Sequence, residues 1–127
     1  MCPDLMAVAL RRNVLKLCDQ RCAFCKVRVM GNMLDGAHIQ PFAEFRGDRF
    51  VNGLALCKNH QWAFYHGWFG IDEDYRILIS WDRFTEEAAI KSRSTKDFSG
   101  EKISLPDKEI FMPDQEKLKW HREIWGI

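Results

Sequence analysis

The fold is decided by two short stretches, Cys22-Ala23-Phe24-Cys25 and Cys57-Lys58-Asn59-His60. Each is a C-x2-C or C-x2-H knuckle, the spacing at which a tight turn brings two soft or borderline donors to one point. Together they supply the four ligands of a tetrahedral zinc site, with His60 as the fourth ligand at the start of a helix. Such a site leaves no open coordination position, so the ion would be structural. The ion would also pin both ends of the intervening segment, which contains Gly36-Ala37-His38-Ile39 and Asn52-Gly53. Function is sought in that segment.

Working outward, the chain has 127 residues, 46% hydrophobic and 29% charged, with a formal net charge of +1. Those figures suit one globular domain with a modest core. No run approaches the roughly 18 apolar residues of a membrane span, and residues 1–20 carry arginines and aspartates where a signal peptide would be apolar. A cytoplasmic protein with no membrane partner is expected. Five cysteines in that setting favour metal ligation over disulfides. Cys2 and Cys18 are then bystanders, an exposed terminal thiol and a buried helix residue. Charge is unevenly spread. Residues 1–30 hold Arg11, Arg12, Lys16, Arg21, Lys26 and Arg28 against Asp4 and Asp19, a local +4. This stretch, with Arg46 and Arg49, is a candidate phosphate-facing surface, the alternative being a solvated helix face.

Leu10, Val14 and Leu17 recur at helical spacing and predict an N-terminal helix over 5–17. Residues 27–30 read as a strand, Gly31-Asn32 as a turn and 37–39 as a returning strand stopped by Pro41, which makes a hairpin with His38 on its second arm. A loop over 42–51 follows, and a helix over 58–66 ends before Gly67. Residues 68–71 and 75–80 flank Asp72-Glu73-Asp74 as a second hairpin. A short helix over 85–90 and a polar surface loop over 91–102 are expected next. A last helix starts at Pro113-Asp114, is capped by Asp114 and runs to Ile124, docking through Leu118, Trp120 and Ile124. This order is α+β. The five tryptophans read mainly as core or core cover, and His121 beside Trp120 as a packing residue.

The order C-x2-C, strand, A-H-I-x-P, loop, N-G-L-x-L-C-x2-H, helix resembles the HNH endonuclease family. The resemblance extends to the tail, where residues 99–106 and Leu118-Lys119-Trp120-His121-Arg122-Glu123 look like the end of the HNH subfamily found alone or fused to restriction and defence modules. It implies a ββα-metal core over about 18–70 with a treble-clef-like zinc knuckle. Flanking helices and the second hairpin, in an extension over about 71–127, would complete a single domain over 1–127. It also implies a DNA phosphodiester substrate, His38 as the general base that activates water, Asn52 as the residue holding the loop and the base by hydrogen bonds, and a catalytic Mg2+ or Mn2+ ion.

The sequence departs from this family at the catalytic metal. Family helices usually read C-x2-H-H-x2-F-D, and the corresponding positions here are Gln61 and Tyr65. Glutamine is a weak neutral oxygen ligand, and tyrosine is protonated at neutral pH. Ala37, before His38, offers no ligand. Asp35 and His66 are the neighbouring groups that could compensate. Two further readings therefore stand beside the nuclease: a degenerate HNH module that binds nucleic acid or a protein partner without cutting, and a zinc-stabilised interaction domain unrelated to nucleic acid.

Overall fold

The computed structural model describes residues 14–15, 19–28, 34–40, 52–87 and 92–127. The expected helix over 5–17 is seen only at Val14 and Leu15, which are helical and buried. The rest of that helix, Cys2, Cys18, the Gly31-Asn32 turn, the loop over 42–51 with Arg46 and Arg49, and residues 88–90 lie outside the described residues. No helix among the described residues is long and apolar enough to cross a membrane.

The elements are β1 (Leu34–His38), β2 (Gly53–Cys57), α1 (Lys58–Tyr65), β3 (Phe69–Ile71), β4 (Ile77–Ile79), two 3-10 turns (Thr95–Phe98 and Glu109–Phe111) and α2 (Gln115–Trp125). β1 and β2 are antiparallel, with Leu34 opposite Cys57 and His38 opposite Gly53. The chain passes from β2 directly into α1, which packs on both strands. This ββα unit corrects the expected hairpin. Among the described residues strand 34–38 pairs with 53–57, so His38 sits on the first arm of this pair, and of the expected first strand over 27–30 only residues 27–28 are described. Arg28 instead bridges Arg21 across the first knuckle. The second strand escaped the sequence because all five of its residues are buried, and a strand covered on both faces shows no polar alternation.

The first knuckle is built from its own backbone. The Cys25 N–H points at Cys22 Sγ (3.5 Å), the Lys26 N–H bonds Cys22 O (2.8 Å), and Lys26 takes φ +65° to close the turn. Ala23 at its tip donates to Ala55 O of β2 (2.7 Å) and accepts from the Ser104 N–H (3.0 Å). The C-terminal half of the chain is thus hydrogen-bonded to the knuckle. Phe24 fills the space between them. It is fully buried, stacks on the His60 ring at 4.1 Å and meets Phe69 and Phe98 at 4.5 and 4.9 Å.

The second hairpin forms as expected, β3 pairing with β4 from Phe69–Ile79 to Ile71–Ile77. Asp72 organises its turn by accepting from the N–H groups of Asp74 (2.8 Å) and Arg76 (2.9 Å). Residues 85–87 are not helical, against expectation, and residues 95–98 form a 3-10 turn with a Ser94 capping box that inserts Thr95 and Phe98 into the interior. The expected surface loop therefore contributes to the core, through one aromatic whose sequence neighbours are polar. α2 is capped by Asp114, whose side chain accepts from the Glu116 N–H, and ends at Gly126 in the left-handed region. Leu118, His121 and Arg122 are its buried residues. Trp120 is half-buried and Ile124 is exposed, so Ile124 does not dock as expected: it projects from the helix away from the buried side.

Candidate functional site

Two groups of side chains meet in the ββα unit. At the junction of β2 and α1, Cys22, Cys25, Cys57 and His60 bring their donor atoms within 4.8 Å of one another. His60 Nδ1 lies 3.1 Å from Cys57 Sγ and 3.8 Å from Cys22 Sγ. These are the edge lengths of a small tetrahedron, because ligand bonds of about 2.0–2.3 Å place donors nearly 4 Å apart. The electrostatics agree. Hydrogen bonding to Cys25 and Cys57, with burial added, pushes the Cys22 thiol up, while hydrogen bonds from Cys22 and Cys25 hold Cys57 down as the thiolate. Burial disfavours the His60 cation, yet hydrogen bonds to Cys25 and Cys57 carry its pKa up to about 9. Three thiols and an imidazole with no other cation among them fit a metal ion, and this cluster can bind one.

The second group surrounds the end of β1. His38 is its last residue and is 0% exposed. The ladder runs one residue further, since the Ile39 N–H donates to Asn52 O (2.9 Å). Asn52, also fully buried, then closes a two-point amide pair: its Oδ1 accepts from the Gln40 N–H (2.9 Å) and its Nδ2 donates to Gln40 O (3.1 Å). Asn52 therefore fixes the backbone two residues beyond His38. On α1, Gln61 and Tyr65 share a face by their i, i+4 spacing; Gln61 is buried and Tyr65 half-buried.

The two compensating groups are committed elsewhere. Asp35 is buried and forms an ion pair with Lys58 at the first turn of α1 (2.8 Å). By strand alternation it lies on the opposite face of β1 from His38. His66 donates from Nδ1 to Trp62 O (2.7 Å) and stacks on the Trp62 ring (3.7 Å) at the exposed surface. Among the described residues the knuckle is the one group of three or more His, Cys, Asp or Glu side chains able to hold a metal. Gln61 carries a neutral amide oxygen, Tyr65 a phenol and Ala37 no donor, where magnesium or manganese favours carboxylates.

Sequence reasoning missed the part played by α2. His121 Nε2 donates to Phe64 O (2.7 Å) and its ring stacks on Phe64 (3.7 Å, 2°), so it packs as expected but on α1 itself. Burial pushes its pKa down to about 4, against the opposing bond to Phe64 O. One turn earlier, Lys117 Nζ donates to the Gln40 side chain (3.3 Å). The tryptophans are cover rather than core: Trp62 and Trp81 are 51% and 54% exposed, and the other three are half-buried.

Residues 22–72 match the sequence profile of the HNH endonuclease family. No curated protein matches the chain. Among solved structures, the modification dependent TagI restriction endonuclease is similar over 94% of this chain, with a TM-score of 0.65 and 21% identity. This chain corresponds to 38% of that protein's length. The profile match covers both knuckles, β1, β2, α1 and β3, the same residues that build the ββα unit in three dimensions. Residues 22–72 thus match the HNH endonuclease family in sequence over the stretch that builds the ββα unit.

Proposed function

We propose that this chain is an HNH-type endonuclease domain acting on DNA phosphodiester bonds, with zinc as the structural ion of the Cys22, Cys25, Cys57, His60 cluster. The observation that carries this is the placing of His38 at the end of β1, opposite Gly53, with Asn52 clamping the next turn of backbone. His38 would take the proton of the attacking water as general base; the water oxygen bonds phosphorus as the P–O bond to the leaving oxygen breaks. Asn52 acts through the backbone, holding the strand end that presents the imidazole. Zinc would be held by its four ligands for folding alone. A divalent ion, when bound, supplies stabilisation of phosphate charge. Gln61 and Tyr65 are poor ligands for such an ion. Arg46, Arg49 and the basic residues near the first knuckle would contact phosphates. Of the latter, Arg21 and Arg28 both lie 3.5 Å from Asp19, which offsets part of their charge. The similarity to a restriction endonuclease supports DNA as substrate, and its greater length suits a chain that works beside further modules.

The second reading is a module of this fold that binds nucleic acid or a protein partner without cutting. It is favoured by the complete burial of His38, which must be uncovered before it meets a water in line with a phosphate. Nicking of supercoiled plasmid in manganese separates the two. The nuclease reading expects metal-dependent nicking that His38→Gln abolishes with zinc content unchanged. Binding without nicking supports the second reading, and nicking that survives His38→Gln removes His38 from the chemistry.

A further inference from the structure

The geometry points to Lys117 on α2 as a ligand of the scissile phosphate, a cationic group placed beside His38 where the family's metal ligands are missing; this rests on the nuclease reading above. The placement comes from three contacts. Lys117 Nζ reaches the Gln40 side chain, Asn52 fixes the Gln40 backbone, and His121, one turn along the same face of α2, bonds Phe64 O on α1. The face of α2 bearing Lys117 and His121 thereby spans from the end of β1 to the helix carrying Gln61 and Tyr65, and forms a further wall of the site.

The distance follows from the chain beyond the strand. The last ladder pair is His38 opposite Gly53, the Ile39 N–H still bonds Asn52 O, and the chain then bends at Ile39 and Gln40, so the two residues from His38 to Gln40 span at most about 7 Å. An ammonium held by the Gln40 amide is therefore within reach of a phosphate seated at His38. The other paired cations of α2 have carboxylates: Lys119 lies 3.9 Å from Glu123 and Arg122 lies 3.3 Å from Glu73. Among the described residues no carboxylate is within ion-pair distance of Lys117, whose partner is a neutral amide. A half-buried ammonium on a neutral partner keeps its charge available to an incoming anion. Its energetic value there is larger than at an exposed surface, because fixed charges near a partly dry site are less screened.

The test uses the whole chain with a short DNA duplex, measuring single-turnover cleavage and the salt dependence of binding for Lys117→Met, Lys117→Arg and Gln40→Met, each checked for zinc content and circular dichroism. Lys117→Met should slow cleavage by about tenfold or more and lower the slope of log K against log salt by about one. Lys117→Arg should stay within about threefold of the unaltered chain by the same charge argument. Gln40→Met removes the amide partner and keeps the ammonium, so it should leave the slope unchanged. An unchanged rate and slope in Lys117→Met, or the same losses in Gln40→Met, would overturn the inference in favour of a structural contact. His38→Gln run in parallel tells the two claims apart: if it cleaves normally the base assignment fails, while the salt slope still decides Lys117. If the unaltered chain binds without cleaving, the slope decides alone, and absence of binding at low salt overturns it.

Discussion

The two ends of α1 are held in different ways. At its start, Cys57 and His60 belong to a four-donor cluster in which every member has soft or borderline chemistry suited to one ion. At its end there is no such cluster among the described residues. The chain turns at Gly67 (φ +71°), whose carbonyl accepts from Ser80 Oγ (2.8 Å) and Arg83 (3.1 Å), while His121 holds Phe64 O. The positions between, Gln61 and Tyr65, are those where the family usually places catalytic metal ligands. The contrast teaches that one short helix holds a complete set of soft donors at its start and, at the positions the resemblance assigns to chemistry, a glutamine and a tyrosine. Folding and catalysis are separable demands on one short element.

Breaking the cluster end, which the zinc proposal makes metal-held, should have the largest effect. Structural zinc is worth on the order of 10 kcal/mol in small modules, which is comparable to the whole stability of a domain. Cys57→Ser, or a strong chelator, should leave the domain unfolded by circular dichroism with the metal released. A variant that folds and melts like the parent would show that packing alone holds both ends.

The packing-held end should yield next. A Cβ at Gly67 would lie 2.3 Å from both Arg83 Nη1 and the Trp125 ring, in a backbone region that L side chains disfavour. Gly67→Ala should cost about 3–4 kcal/mol in urea unfolding, from overpacking and positive-φ strain combined. A loss below about 1 kcal/mol would mean that the α2 end yields freely and that this end of α1 is loosely held.

His121 sharpens the same point through pH. Its folded pKa of about 4 lies below the ordinary 6.5, so the fold favours the neutral ring. Its contribution is fully present above about pH 6.5, is lost as pH falls towards 4, and amounts to about 3 kcal/mol across that window. Acid also protonates the metal ligands, so the comparison is with His121→Phe, which keeps the stack on Phe64 and should flatten this part of the profile. Identical pH profiles would remove His121 as the source. Asp114→Ala, far from either end of α1 in sequence, should cost only about 1 kcal/mol as the loss of a helix cap, with no change in metal content.

Much of this was legible in the sequence, for reasons that differ by element. The four donors of the Cys22, Cys25, Cys57, His60 cluster were readable because ligand spacing is a local property of tight turns, and α1, the β3–β4 hairpin and the Asp114 cap because each begins or ends at a residue with a strong local preference. The partner of β1 was not readable: Leu54-Ala55-Leu56 is buried on both faces, and a run without alternation does not announce a strand. Phe98 gave little warning because a single aromatic in a polar stretch has no period. Lys117 gave none, since its place depends on how α2 docks across Gln40 and Phe64. Asn52 was expected to hold the loop and base by hydrogen bonds; its amide pair fixes the Gln40 backbone, and its part in holding the base remains a proposal. Arg46 and Arg49 lie outside the described residues, and their phosphate contacts remain a proposal.

The most direct measurement of the central claim is metal-dependent plasmid cleavage by the unaltered chain and by the double variant Gln61→His/Tyr65→Asp. If α1 has kept its folding donors and lost its catalytic ones, the unaltered chain is slow or inactive in magnesium. The double variant, with two ligands restored at i and i+4 on one face, then cleaves at least about tenfold faster, and His38→Gln removes the gain. Rapid cleavage by the unaltered chain, unchanged in the double variant, would contradict the account and show that another group already completes the site.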